Sequence, residues 1–171
     1  MLEKQYLGVR IILAVVTSVL FAQQSRDRVG NPANGRVVFE GKGACLTCHR
    51  VKENGSRLGP DLTDIASQRT VDALEKSLLA PNQEVSPQYR HYRVITLDGG
   101  TVTGRILNQD IFSIQMLDSN DRLRSFQKSN LREYDFVQTP PMPSYRGKLT
   151  PEELADVLAY LNTLMKGVAN R

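Results

Sequence analysis

The 171-residue sequence lacks tryptophan, and only 6% of its residues are aromatic. A packed interior with so little aromatic area permits a large apolar prosthetic group, although this absence alone does not indicate one. No apolar run reaches the roughly 20 residues that a helix needs to cross a bilayer. Hydrophobic residues make up 40% and charged residues 23%, an ordinary globular mixture that argues against disorder and against a multi-span membrane protein. The length suits one domain with a small second module.

The longest apolar run, Ile11 to Ala22, follows two basic residues and is followed at once by polar residues. This layout predicts a secretory signal peptide over residues 1–22. Leu20 is bulky for the small-residue position before a cleavage site at Ala22, so an uncleaved anchor is the alternative. In both cases we expect the body of the protein to be exported, to the periplasm or outside the cell.

The net charge of +4 falls to +3 once the two basic residues and one acidic residue of the leader are removed. An excess of positive charge this small does not indicate a nucleic-acid partner, because a net charge of this size affects solubility and association and not a particular binding function. We expect no nucleic acid to bind, and we expect contact with a membrane only if the leader is uncleaved.

Helical signals lie near both ends of the exported part. After a polar linker over residues 23–30, Asn31 is a helix cap, and a helix is predicted from Pro32 to Glu40. A second helix is predicted from Thr70 to Ala80, ended by a proline. A third begins at the capping box of Thr150 and is expected to continue to Lys166, with Gly167 as its terminator.

The spacing of apolar residues changes from helical to alternating between these helices. About five short strands are predicted, and they could close into a small antiparallel barrel or form a curled sheet. The predicted strands are Tyr92 to Thr96, Thr101 to Leu107, Ile111 to Leu117, Arg122 to Gln127 and Tyr134 to Val137.

The segment Cys45-Leu46-Thr47-Cys48-His49 has the C-x-x-C-H spacing of c-type haem attachment. In such a segment each thiol adds to one haem vinyl group, and the histidine supplies an imidazole nitrogen to the iron. These are the only two cysteines, so no thiol is left for another task. The sequence predicts covalent haem on Cys45 and Cys48, with His49 as an iron ligand.

Other interpretations of the two cysteines are a disulfide, a redox pair or a zinc site. A thioredoxin-like pair would need a preceding strand in a βαβ unit, whereas a helix and a glycine-rich stretch precede Cys45. Zinc would need two more ligands, and His91 is the only histidine outside the motif. Haem attachment is the preferred interpretation.

The sixth iron ligand must come from His91, Met116, Met142 or Met165, or the position stays open. Met142 is favoured because it lies among prolines, where a stiff backbone can hold a thioether without competing for helix packing. Met116 is in a predicted strand and Met165 on the buried stripe of the last helix, so both are expected to fill the core. His91 is expected to be an exposed strand residue.

Five segments, taken in chain order, resemble class I cytochrome c. They are Asn34-Gly35-Arg36 through Phe39, C-L-T-C-H, Leu58-Gly59-Pro60-Asp61-Leu62, Met142-Pro143 and Leu154 to Leu161. The resemblance implies that Gly35 and Phe39 of the first helix pack near Tyr160 of the last. It also implies that the carbonyl of Pro60 accepts a hydrogen bond from the second ring nitrogen of His49, which orients the ring. Met142 becomes the distal axial ligand by the same resemblance.

The departure from small cytochromes is the β segment between the haem motif and Met142. It resembles bacterial haem-binding modules that carry a β insertion. The expected fold is therefore α+β: a mainly α cytochrome c domain over residues 31–88 and 138–171, with a small antiparallel barrel or curled sheet inserted at 89–137. Without the insertion about 90 residues remain, an ordinary cytochrome core.

A haem iron with both axial positions filled favours electron transfer over catalysis, so the chain is predicted to be an electron carrier and not an enzyme. One alternative is an open or labile sixth position, with peroxidase-like or gas-binding chemistry. Another is that the β insertion docks a partner, such as a secreted dehydrogenase or an oxidase. Basic residues near the ligands could steer an acidic face of that partner, or could be an ordinary solvated surface. They are Lys42, Arg50, Lys52, Arg57, Arg146 and Lys148.

Overall fold

The computed structural model describes residues 29–81, 86–137 and 142–165. The predicted leader, most of the linker and the predicted terminator Gly167 lie outside the described residues. The described helices are α1 (Pro32–Glu40), α2 (Val71–Leu79) and α3 (Pro151–Thr163). The strands are β1 (Arg50–Val51), β2 (Asn54–Gly55), β3 (His91–Thr96), β4 (Thr101–Gln109), β5 (Ser113–Asp118), β6 (Leu123–Gln127) and β7 (Leu131–Phe136). Among the described helices, none is both long and apolar enough to span a membrane.

Helices α1 and α3 begin directly after their predicted caps, and α2 begins directly after Thr70, the residue predicted as its start. The side chain of Asn31 accepts hydrogen bonds from two backbone N–H groups of α1, and Thr70 does the same for one N–H of α2. Thr150 and Glu153 form a reciprocal capping box at the start of α3. These bonds satisfy N–H groups that a helix start leaves without an intrahelical partner, so the predicted starts are confirmed.

The end of α3 differs from the prediction. The helix ends at Thr163 and does not continue to Lys166, because Leu164 leaves helical backbone angles at φ −80° and ψ 80°. The carbonyl of Leu164 instead accepts a hydrogen bond of 3.1 Å from the N–H of Ala66. Met165, expected on the buried stripe of the helix, lies beyond its end and is 59% exposed. The prediction of a buried Met165 is wrong.

The helices α1 and α3 cross in close contact. Gly35 is buried against the backbone of Asp156, and the ring of Phe39 packs edge-on against Tyr160 at 5.3 Å between centroids. The packing implied by the resemblance is therefore present. Gly30, at the end of the predicted linker, also lies against the backbone of Ala155, so packed structure already includes Gly30.

The inserted sheet has the strand order β6-β5-β4-β3-β7, with every neighbouring pair antiparallel. Its edge strands β6 and β7 are joined by a single 3-10 turn, Lys128–Asn130. This turn hydrogen-bonds to Leu97, after β3, and to Phe112, before β5. The turn therefore contacts the ends of both β3 and β5, the two strands that flank β4. Because both sides of the sheet approach the same turn, the sheet is curled.

The curled sheet has an apolar core of its own. Val94, Ile114 and Met116 have no exposed surface, so the prediction that Met116 fills a core is confirmed. The α+β architecture, helices with an inserted antiparallel sheet, is confirmed as well.

Three hydrogen bonds, made by two residues of the insertion, join it to the loop that precedes Pro60. Asp121, in the turn after β5, accepts hydrogen bonds from the N–H of Arg57 at 3.2 Å and from the hydroxyl of Ser56 at 3.4 Å. Arg105 of β4 donates to the carbonyl of Arg57 at 2.8 Å. The insertion is therefore anchored within a few residues of the backbone that bonds His49.

Candidate haem site

A cavity of about 530 Å³ opens between the helices and the start of the inserted sheet. Its volume is within the range of small-molecule and cofactor sites. The predicted site residues Cys45, Cys48, His49, Pro60 and Met142 all line it. Apolar walls come from the core of the helical domain, including Phe39, Leu58, Leu62, Leu74, Leu78, Val157 and Leu161.

The two cysteines and His49 are brought together by one tight turn. Cys45 begins a short 3-10 helix, and the N–H of His49 donates to the carbonyl of Cys45 at 2.8 Å. Both thiols are free, and burial raises the pKa of Cys45. Two free thiols beside an apolar cavity suit attachment to the two vinyl groups of a haem.

The ring of His49 is held in one orientation. Its Nδ1 lies 2.9 Å from the carbonyl oxygen of Pro60, and because a carbonyl can only accept, Nδ1 carries the proton and donates. The other nitrogen, Nε2, is then left with its lone pair, the form that binds iron. Burial lowers the pKa of His49, which keeps the imidazole neutral. The hydrogen bond that the resemblance implies is present.

Two glycines let the backbone approach His49. A Cβ on Gly59 would lie 3.1 Å from both Nδ1 and Cε1 of the ring. Gly55 has φ +99°, and a Cβ there would lie 2.1 Å from the carbonyl oxygen of His49. Gly55 ends the small β1–β2 ladder. Glycine is the residue type that adopts this backbone without strain, so a larger residue at position 55 would disturb the carbonyl of His49.

Met142 is partly buried, lines the cavity and packs against the core of the helical domain. Its segment is tied to the end of α2, since Ser144 donates to the carbonyl of Leu79 at 2.8 Å and the N–H of Tyr145 donates to Leu78 at 2.9 Å. These bonds restrain the backbone that carries Met142. Residues 138–141, with two of the neighbouring prolines, lie outside the described part of the chain.

His91 is not the exposed residue that its strand position predicts. It is partly buried and lines the same cavity, because β3 begins against the helical domain. Desolvation lowers its pKa, and the neighbouring Arg105 lowers it further. Of the four sixth-ligand candidates, Met142 and His91 reach the cavity, whereas Met116 is in the core of the sheet and Met165 is exposed.

Tyr145 is a site residue that the sequence analysis missed. It is buried, its hydroxyl donates to the carbonyl of Gly43, and the oxygen lies 3.9 Å from the sulfur of Cys45. Burial raises the pKa of Tyr145, so the hydroxyl stays protonated. The sequence signal was weak, since a lone aromatic residue in a polar segment does not reveal a partner 102 positions away.

The predicted basic cluster is less cationic than its composition suggests. Three of its six members form ion pairs within this chain, which offsets their charge. The pairs are Lys42 with Glu153 at 2.7 Å, Arg50 with Glu53 at 2.8 Å and Arg57 with Asp121 at 3.9 Å. Within the described ranges, the exposed Lys52, Arg146 and Lys148 form no ion pair.

The residues present fit a covalently held haem. Two thiols and an oriented neutral imidazole lie in one turn, and a thioether and apolar walls complete the same cavity. Cysteine sulfur is the group through which c-type haem is attached, and imidazole and thioether are groups that ligate its iron.

The comparisons with known proteins agree with this chemistry. A protein-family model described as Cytochrome c matches residues 32–114, just under half of the chain. The match includes Cys45, Cys48 and His49 and ends before Met142. No curated protein matched the chain. Residues 32–114 are thus similar to cytochrome c, the cofactor is haem c, attached covalently with its iron, and haem-based electron transfer is the chemistry that this similarity supports.

Proposed function

We propose that this chain is an exported monohaem cytochrome, periplasmic or secreted, that carries electrons between redox partner proteins, with His49 and Met142 as axial ligands. The observation that supports it best is the hydrogen bond from His49 Nδ1 to Pro60, which leaves Nε2 for iron at a cavity that Met142 also lines.

Haem iron held by an imidazole and a thioether supplies a one-electron couple without an open coordination site, and the thioether raises its potential. The chain's own residues restrain both ligands. Pro60 orients His49, and the hydrogen bonds from Ser144 and Tyr145 to α2 hold the Met142 segment. Ligands that stay in place keep reorganisation small, which suits electron transfer and not turnover of a substrate.

The ligation is tested by visible absorption of the ferric and ferrous protein, produced with a c-type maturation system, for wild type, Met142→Ala and His91→Ala. We expect sharp low-spin ferrous bands and a weak far-red sulfur-to-iron band in ferric wild type. Met142→Ala should abolish the far-red band and His91→Ala should preserve it. If His91→Ala changes the spin state and Met142→Ala does not, the sixth ligand is His91. A high-spin wild type would instead favour the peroxidase-like or gas-binding alternative.

Export is tested by expressing the full chain with its own leader and staining cell fractions for covalent haem. Haem-stained protein in the periplasm or the medium supports a cleaved signal peptide, and stained protein in the membrane pellet supports an uncleaved anchor. Apoprotein confined to the cytoplasm would contradict export.

The redox partner is expected to present an acidic face, attracted by Lys52, Arg146 and Lys148, the members of the basic cluster that lack ion pairs among the described residues. Attraction between exposed charges falls with ionic strength, because the Debye length shortens from about 10 Å at 0.1 M salt to about 3 Å at 1 M. The rate of electron exchange with an acidic redox protein should therefore fall as salt is added. A rate that is independent of salt would contradict this steering.

A further inference from the structure

The side chain of Arg105 carries a buried donor that the protein itself does not satisfy. Among the described residues, Arg105 Nε is shielded from solvent and has no hydrogen-bond partner. The Nη2 group of the same guanidinium donates to the carbonyl of Arg57 at 2.8 Å. A buried donor without a partner costs about 1–3 kcal/mol, and more for a charged group, so such an atom calls for an acceptor.

The position of Arg105 relates this donor to the haem cavity. Arg105 on β4 lies directly opposite His91 on β3, so the two side chains share one face of the sheet. The guanidinium also lies over the ring of Tyr89, 5.2 Å from its centroid. Both His91 and Tyr89 line the cavity. Two neighbours of Arg105 are therefore walls of the cavity.

No described carboxylate forms an ion pair with Arg105, and its neighbour His91 adds no negative charge. A guanidinium beside two residues that line the cavity suits a carboxylate, which accepts hydrogen bonds from its planar set of N–H donors. Haem c carries two propionate carboxylates, which would be the acceptors nearest to hand once the group is bound. We propose that Arg105 binds one haem propionate, and that the β insertion thereby completes the haem site at Tyr89, His91 and Arg105.

The inference rests on haem binding, and it is independent of which residue is the sixth ligand. It assigns the insertion a role that the sequence leaves open. The insertion supplies a cation to the cofactor, and its contacts with Arg57 hold that cation in place. A cation near the haem favours the ferrous state, which has one electron more than the ferric state, so Arg105 should raise the reduction potential.

The test is the midpoint potential of the haem-loaded full chain for wild type, Arg105→Gln and Arg105→Lys. Arg132→Gln is the matched control, because it removes the same charge from the same sheet. Arg132 donates to the carbonyl of Leu97. Leu97 is six residues along the strand direction from His91, and six extended residues span about 20 Å, so Arg132 lies about that far from His91. That distance exceeds the Debye length of about 8 Å at physiological salt.

Arg105→Gln should lower the ratio of reduced to oxidised haem at a fixed potential by severalfold, up to about tenfold, which is about 59 mV for one electron. Arg105→Lys should preserve most of the ratio, and Arg132→Gln should leave it unchanged. Resonance Raman spectra should show a shifted propionate bending band in both Arg105 variants and not in Arg132→Gln.

A low-spin Arg105→Gln with wild-type potential and an unshifted propionate band would overturn the proposal and leave the proposed function standing. If Arg105→Gln does not accumulate, the test uses Arg105→Lys. An unshifted propionate band in Arg105→Lys would likewise overturn the proposal. Wild-type protein that binds no haem would instead contradict the proposed function itself.

Discussion

The crossing of α1 and α3 leads to a prediction for Gly35→Ala. A Cβ at position 35 would lie 1.9 Å from the carbonyl oxygen of Asp156 and 2.9 Å from the Cβ of Tyr160. Carbon–oxygen contacts in proteins are not found below 3.0 Å, so the helices would have to separate by more than 1 Å. The obstructing atom belongs to the backbone of α3, and a change of rotamer cannot relieve the contact.

The change in the free energy of unfolding follows from two destabilising contributions and one stabilising contribution. Overpacking of this kind costs about 1–3 kcal/mol, and a backbone clash belongs at the upper end. Separating the helices also weakens the edge-on pair of Phe39 and Tyr160, a contribution of about 0.5–1.5 kcal/mol. The better helix propensity of alanine offsets about 1 kcal/mol. The net expectation is a loss of about 2–3 kcal/mol, or roughly 5–10 °C in Tm for a chain of this size.

The assay is thermal and urea unfolding of the haem-loaded protein, followed by circular dichroism. Asn34→Ala is the matched control, because residue 34 is exposed on the same helix and gains the same kind of propensity without a clash. It should be neutral or slightly stabilising. A Gly35→Ala variant as stable as wild type would refute the reasoning, since propensity would then outweigh a contact that the structure makes prohibitive.

Three further predictions concern the surroundings of the site. Tyr145→Phe should destabilise the protein by about 1–3 kcal/mol in urea unfolding, because it leaves a buried backbone carbonyl without its donor. Asp121→Gly should speed hydrogen exchange at the amide of Arg57, whereas Asp121→Asn, which keeps an acceptor and tolerates φ +60°, should protect that amide better than glycine does. The hydrogen bond from Lys42 lowers the pKa of Glu153 below its ordinary value of 4.5. Their pairing therefore stabilises the fold fully above pH 4.5, and this stabilisation is lost as the pH falls through the lower pKa of the folded state. The Tm difference between wild type and Glu153→Gln should therefore shrink in acid, and a constant difference would contradict the assignment.

Local signals predicted much of the fold. The caps at Asn31, Thr70 and Thr150 set the helix starts, because the side-chain acceptor and the N–H groups it satisfies are within three residues of one another. Alternation and turn residues predicted the five strands for the same reason, although β7 runs from Leu131 to Phe136 and not from Tyr134 to Val137. The end of α3 could not be predicted this way, since the carbonyl of Leu164 bonds to Ala66, far away in the chain.

The site residues also divide into those that local sequence predicts and those that only the tertiary structure brings together. Covalent haem attachment at Cys45 and Cys48, with His49 as a ligand, is predicted from the sequence alone, because the spacing C-x-x-C-H places all three groups within one turn. Only the tertiary structure brings His91 to the cavity and leaves the buried Nε of Arg105 without a partner. Those features depend on how the inserted sheet is anchored to the loop before Pro60. A one-dimensional pattern records the period of a strand, and it does not record which of its faces meets another module.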